Sequence, residues 1–309
     1  MSADTLVLIL VATVAAGVPL IFAALGELIV EKSGVLNLGV EGMMIVGAIS
    51  GFMVAAESGS LWLGVLAGAF AGMLMALVFA FLTLSLMANQ VASGLALTIF
   101  GIGLSAYMGQ AYNSVALDGL KAIQIPLLSD LPVVGKLLFG YDPLVYLALL
   151  MYPLLVWFLY YSRGGLILRA IGESPSSAHA LGYPVIKIRY LAVLFGGAMA
   201  GIGGAYLSLA YTPLWSEGMT AGRGWIALAL VVFATWRPGR VLLGAFLFGG
   251  VTIAQFHVQG MGVEIPSQFL SMLPYLATIT VLVLISRNAA TIRLNAPASL
   301  GQAFHNEVH

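Results

Sequence analysis

The chain has 309 residues, 61% of them hydrophobic and only 8% charged, where soluble domains carry about 25% charged residues. Twelve basic residues balance twelve acidic ones, so net charge offers nothing to nucleic acid, and the absence of cysteine excludes disulfides, thiolate nucleophiles and cysteine-ligated metals. No Asp, Glu, Lys or Arg falls within 5–26, 42–56, 58–117, 143–162, 190–216, 241–263 or 265–286. A helix crosses a bilayer with roughly 20 apolar residues, so the fold class expected is all-α: a polytopic membrane protein of about nine (8–10) transmembrane helices. No alternating β-barrel pattern competes with it.

In chain order, spans are expected near 5–26, 36–56, 61–86, 91–108, 143–161, 190–211, 220–236, 240–257 and 268–286. The opening MSADTLV lacks the basic stretch of a cleaved signal peptide. The second span carries Asn37 and Glu41 amid Gly34, Gly39, Gly42 and Gly47. A spacing of four puts the two polar groups on one helical face, and an ionisable group inside a membrane is a functional-site hypothesis by default. Glu41 has two readings: a solute contact in a broken helix, or an acceptor for neighbouring backbone that fixes a kink.

The third span holds Gly64, Gly68 and Gly72, and the sixth Gly197 and Gly201, at the spacing of close helix packing. In the fourth, Gln90, Gly94, Thr98, Gly101 and Ser105 form one polar, small stripe, suited to a translocation path or to a packing seam. The outer loop 109–142, with Asp118, Pro126, Asp130 and Pro132, is expected as a lid, a docking surface or a tether.

The inner loop 162–189 carries Arg163, Arg169, Lys187 and Arg189. Placed in the cytoplasm, it brings Lys32, Arg237, Arg240, Arg287 and Arg293 to the same side, nine of the twelve basic residues. Within it Ser174 is expected to cap a short helix, Pro175 to occupy its first turn and Gly182 to end it. The span at 220–236 is the shortest, with 13 uncharged residues from 224, and a re-entrant segment fits as well. Trp236-Arg237-Pro238-Gly239-Arg240 reads as a tight inner turn with Pro-Gly in a type II bend. The tail 287–309, polar and containing Pro297, is expected to be disordered. Glu41-Gly42-Met43 recurs as Glu217-Gly218-Met219, in segments expected to run in opposite directions, a possible inverted repeat. Residues 1–286 then form one transmembrane domain.

Catalysis finds no foothold. There is no phosphate-binding G-x-x-x-x-G-K-[ST] loop and no H-E-x-x-H, and the histidines at 179, 257, 305 and 309 are too scattered for a metal site. For Ser93 to act as a nucleophile it needs a base, and no histidine lies in the interior of an expected span. No enzyme activity, metal or cofactor is expected.

The run Glu173-Ser-Pro-Ser-Ser-Ala-His-Ala-Leu-Gly182 resembles the coupling loop of ABC importer permeases of the branched-chain amino acid and simple-sugar superfamily. GVLNLGVEGMMIVGA, NQVASGLALTIFGIGLS at 89–105 and GRGWIALALVVFATWRPGRVLLGAFLFG at 222–249 resemble its nucleoside-type branch, which works with BMP-type lipoproteins, and the likeness covers roughly 26–286. His179 stands where relatives often carry an acid.

The resemblance implies a type II-like importer permease in a bacterial cytoplasmic (inner) membrane, in contact with its lipid. It implies a partner ABC ATPase that binds the ATP, a second permease (a paralogue, or a second copy) and an extracellular or periplasmic substrate-binding protein. Asn37, Glu41, Gln90, Thr98 and Ser105 would then belong to the substrate pathway. Glu173, Ser174, Ala178, His179, Ala180, Leu181 and Gly182 would couple to the ATPase, and Glu217 and Arg223 would meet the binding protein. The competing reading is a stand-alone secondary transporter with Glu41 carrying a proton.

Overall fold

The computed structural model describes residues 3–123, 126, 133–260, 266, 269–270, 272–286 and 295–305. Its helices are α1 (Ala3–Lys32), α2 (Val40–Ser58), α3 (Leu61–Ala80), α4 (Gln90–Gly109), α5 (Val134–Phe139), α6 (Pro143–Tyr161), α7 (Arg163–Glu173), α8 (Pro175–Ala180), α9 (Val185–Tyr206), α10 (Arg223–Phe233), α11 (Pro238–Gly260) and α12 (Leu273–Ser286). Helix α3 continues as a π-helical turn, Phe81–Ser85, and α9 as another, Leu207–Tyr211. Among the described residues seven helices are long and apolar enough to cross a membrane, and the shorter α10 and α12 stand where two further spans are expected. The all-helical, polytopic expectation therefore holds.

Helix α2 is the axis of the molecule, packed on α3, α4 and α9, while α1 packs on α9 and α11. With no hydrophobic effect between helices in lipid, backbones must approach closely to gain dispersion energy. Glycine makes this possible here. A Cβ at Gly47 would lie 2.5 Å from Gly201 Cα, and one at Gly72 would lie 2.8 Å from the same atom. The glycine spacings of the third and sixth spans are thus the seams that join α2, α3 and α9. Around this core, Trp62, Leu66, Phe70, Ile99, Tyr107 and Leu243 face outward, as residues in hydrocarbon do.

Four local expectations are corrected. Helix α1 does not stop near residue 26 but runs to Lys32, carrying Glu27 and Glu31 inside the fold. Helix α10 has only 11 residues. Pro238 opens α11 rather than a type II bend, and the inner turn is made by Thr235 and Trp236 at φ +50° and +53°. The tail is ordered over 295–305, where Ser299 is buried. Arg287, Arg293 and His309 lie outside the described residues, as do Asp130 and Pro132 of the outer loop. The described part of that loop lies across the end of α9: Leu117 N–H donates to Pro213 O (3.0 Å) and Leu120 N–H to Leu209 O (2.9 Å), with Ala116 and Leu214 forming an isolated antiparallel bridge.

Candidate solute pathway and coupling loop

The chain breaks between α1 and α2, and that break builds the first polar site. Gly34 at φ +90° turns the backbone after Lys32, its N–H donating to Glu31 O at 2.8 Å. Only a residue without Cβ enters this conformation without strain. The chain then climbs back along α1 until Asn37 N–H donates to Glu27 Oε1 (3.2 Å) and Asn37 Nδ2 to Glu27 Oε2 (3.4 Å), both side chains fully enclosed. Asn37 Oδ1 accepts from Gly39 N–H at 2.9 Å. Asn37 and Glu41 do not share a helical face as their spacing predicts, because α2 begins only at Val40.

The second break lies between α9 and α10. From Tyr211 the chain returns into the protein, and Thr220 Oγ1 (2.6 Å) and Gly222 N–H (2.9 Å) donate to Glu41 Oε1 while Gly224 N–H donates to Oε2 (2.6 Å). The carboxylate caps the N-terminus of α10, where unpaired amides and the helix dipole favour an acceptor. Gly224 leaves room for this: a Cβ there would lie 2.5 Å from Glu41 Cα. The far end of α10 reaches the inner end of α1, where Trp236 Nε1 donates to Glu31 Oε2. At 1.5 Å per residue the 11 residues of α10 span about 16 Å, about half of a 30 Å hydrocarbon core. Glu41 therefore sits near the midplane. Helix α2 leads outward from it and α10 inward, so two helix N-termini meet at one buried acid, and the two Glu-Gly-Met runs stand at the openings of oppositely directed segments.

The polar stripe of α4 faces α2 and the first break. Gln90 Oε1 accepts from Leu36 N–H (2.8 Å), Thr98 Oγ1 donates to Leu38 O (3.0 Å), and Ser105 Oγ donates to Ile102 O of its own helix (2.8 Å). A Cβ at Gly94 would lie 2.8 Å from Leu38 N, and one at Gly101 2.8 Å from Gly42 Cα. Within this chain the stripe is a seam, and all five expected pathway residues are buried. Glu217 is exposed, whereas Arg223 donates to Met219 O (3.1 Å) and Thr220 O (3.2 Å), steadying the turn that feeds α10.

The inner loop is a helical hairpin. Ser162 caps α7 through Gly165 N–H (3.0 Å), and Ser174 caps α8 through Ser177 N–H (3.4 Å) with Pro175 in its first turn. Gly182 at φ +86° ends it, its N–H donating to His179 O at 2.8 Å, as the sequence spacing requires. Ala178 points inward. Glu173, His179, Ala180 and Gly182 are exposed, Ser174 is half-buried, and Leu181 presents 78% of its surface.

Sequence reasoning passed over Glu27, Glu31 and Thr220, and took Trp236 only as part of a turn. The signal for the first two was present, since acids four apart continue the helical period of the first span. Arg189 was counted as a loop cation, yet it is fully buried in α9.

Comparison with known proteins agrees with this architecture. Residues 9–284 match the family described as branched-chain amino acid transport system / permease component. TsgC13 of Haloferax volcanii, assigned as the permease of a glucose ABC transporter, is 45% identical, covering 96% of this chain and 97% of that protein. The nucleoside ABC transporter permease NupC of Lactococcus lactis is 36% identical over 86% of this chain and 88% of its own length. The guanosine ABC transporter permease NupQ of Bacillus subtilis is 32% identical over 89% and 91%. A multi-pass helical protein of the cytoplasmic (inner) membrane, matched over nearly its whole length, this chain belongs to the branched-chain amino acid transport system permease family and is similar to ABC transporter permeases named for sugar and nucleoside transport.

Proposed function

We propose that the chain is the pore-forming subunit of an importer for nucleosides or related sugar-containing solutes, driven by a separate ATPase that docks on residues 173–182. The observation that carries this is the inner hairpin: a helix capped at both ends, with an exposed apolar tip at Leu181. Such a shape fits a groove on a partner. The solutes for which the relatives are named, nucleosides, guanosine and glucose, share a sugar ring, and that chemistry supports this solute class. Residues 1–286 serve as one transmembrane domain, and a second permease and a substrate-binding protein complete the transporter, with Glu217 and Arg223 on the outer side for the latter. No cofactor is bound by this chain.

Asn37, Glu41, Gln90 and Thr98 shape the pathway by holding the two helix breaks together rather than by projecting into open space, and Ser105 continues the same buried face of α4. This role also disfavours Glu41 as a mobile proton carrier, since three donors already hold its oxygens. The test is uptake into proteoliposomes containing this permease with the ATPase, second permease and binding protein that co-purify with it. Guanosine or glucose uptake should require ATP, and an imposed proton gradient should not replace it. The ATPase should co-purify with wild type and be lost with Gly182→Arg. Uptake driven by the gradient without ATP would overturn the proposal.

A further inference from the structure

Arg189 has no exposed surface, and among the described residues its hydrogen-bond partners are neutral oxygens rather than a carboxylate. Nε donates to Ser33 O (3.0 Å), Nη1 to Gln302 O (3.2 Å) and Nη2 to Ser299 Oγ (3.1 Å). The planar guanidinium thus ties the turn after α1 to the C-terminal segment, a three-way fork that an ammonium cannot reproduce.

Ser299 extends the link. Its N–H (3.0 Å) and its Oγ (2.7 Å) both donate to Gly172 O, near the end of α7 where the hairpin tip begins. The same segment is fastened at three further points. Lys32 Nζ donates to Asn295 O (2.8 Å), and Gly301 N–H donates to Gly34 O (3.1 Å). Phe304 packs on Ile171, Ala178 and Val185, with its ring edge-on to His179 at 5.7 Å. Residues 295–304 therefore touch the hairpin, the start of α9 and the turn that leads to Asn37 and Glu41. A surface tail with no task would not need a buried arginine, since burying a charge is costly unless its donors are all placed.

We propose that residues 295–304 are a strap that makes the inner hairpin and the Ser33–Gly39 turn move as one body, with Arg189 and Ser299 as positioning residues that carry a displacement of the α8 tip to the midplane break. The proposal rests on the reading of residues 173–182 as the ATPase contact. A rigid element with two arrangements is what coupling between distant sites requires, and the strap spans the distance with short hydrogen bonds throughout.

The test uses the whole transporter in proteoliposomes, with Ser299→Ala and Arg189→Lys beside wild type. Ser299→Ala removes one hydroxyl and leaves the backbone bond to Gly172 in place, so it remains informative where Arg189→Lys fails to fold. Hydrogen exchange is followed in residues 174–183 and 33–39 with and without ATP, alongside ATP hydrolysis and solute uptake. In wild type, ATP should change protection in both segments. In Ser299→Ala the change at 174–183 should persist, the change at 33–39 should fall at least three-fold, and solute moved per ATP hydrolysed should fall about five-fold. An unchanged ratio together with unchanged exchange at 33–39 overturns the strap, as does a wild type in which 33–39 never responds to ATP. Loss of the ATPase from Ser299→Ala also overturns it, since the strap would then only build the docking face. Failure of wild type to bind the ATPase refutes the docking reading instead, and so the two failures are told apart.

Discussion

Replacing Glu41 by Gln tests the midplane cap directly. The carboxylate takes two donors at Oε1 and one at Oε2. An amide presents one oxygen, which will take the end facing Thr220 and Gly222 and leave its NH₂ against the Gly224 N–H. One hydrogen bond to a charged acceptor is lost and two donors are set face to face, so Glu41→Gln should destabilise the protein by about 2–3 kcal/mol. Glu41→Ala leaves three buried donors without an acceptor and should cost about 3–6 kcal/mol. Thr220→Val removes one of the three and should cost about 1.5 kcal/mol. Because the side chains touch, Glu41→Gln combined with Thr220→Val should be sub-additive by at least 0.5 kcal/mol. The assay is reversible unfolding in mixed detergent–SDS micelles, followed by tryptophan fluorescence. If Glu41→Ala lies within 0.5 kcal/mol of wild type, α10 is held by something other than this carboxylate and the cap argument fails.

Other expectations follow from the same geometry. Gly42→Ala, whose Cβ would lie 2.8 Å from Leu97 O and Thr98 Cα, should destabilise by about 1–3 kcal/mol in the same assay, whereas Gly103→Ala, with nothing within reach, should be neutral or stabilising by up to about 1 kcal/mol. Trp236→Phe removes the donor to Glu31 and should cost about 2 kcal/mol, and Glu31→Gln in the same chain should recover part of it. Asp142, just outside α6, caps that helix through Leu144 N–H (2.9 Å) and Val145 N–H (3.3 Å), and burial raises its carboxyl above the usual range despite those bonds. A raised folded-state value means the folded form holds its proton more tightly, so this contribution to stability is full below the unfolded value near 4 and is lost as pH rises through the folded one. Asp142→Asn keeps the cap and should flatten that part of the stability–pH curve; an unchanged slope above the unfolded value would contradict the burial argument.

How far the residues announced this fold varied with the distance over which each signal acts. Helix α8 was legible in full because Ser174, Pro175 and Gly182 act within one turn of themselves. The spans were legible because lipid imposes a length and a composition on any helix that crosses it. Residue 26 as the end of the first span failed for the opposite reason. Glu27 and Glu31 look like a flank until Asn37 and Trp236, ten and 205 residues away, are known to supply their donors. The α4 stripe was read correctly as a stripe, but a helical period does not say what the face meets, and here it meets α2. Glu41 lay between two readings because its partners lie 179 to 183 residues downstream. The tail shows the same limit: nothing near Pro297 indicates that Arg189 and Gly172 await it.

The distance between Glu41 and its donors has a consequence for how the protein is made. Gly224 leaves the ribosome 183 residues after Glu41, which at 5–20 residues per second is about 9–37 s. For that interval α2 exists without the amides that hold its acid. The first four helices therefore cannot reach their final arrangement as they emerge, and the nascent chain must keep Glu41 near water or an insertion factor until α10 arrives. A ribosome stalled before residue 220 should leave the start of α2 open to water-soluble labelling reagents, and one stalled well past 233 should close it.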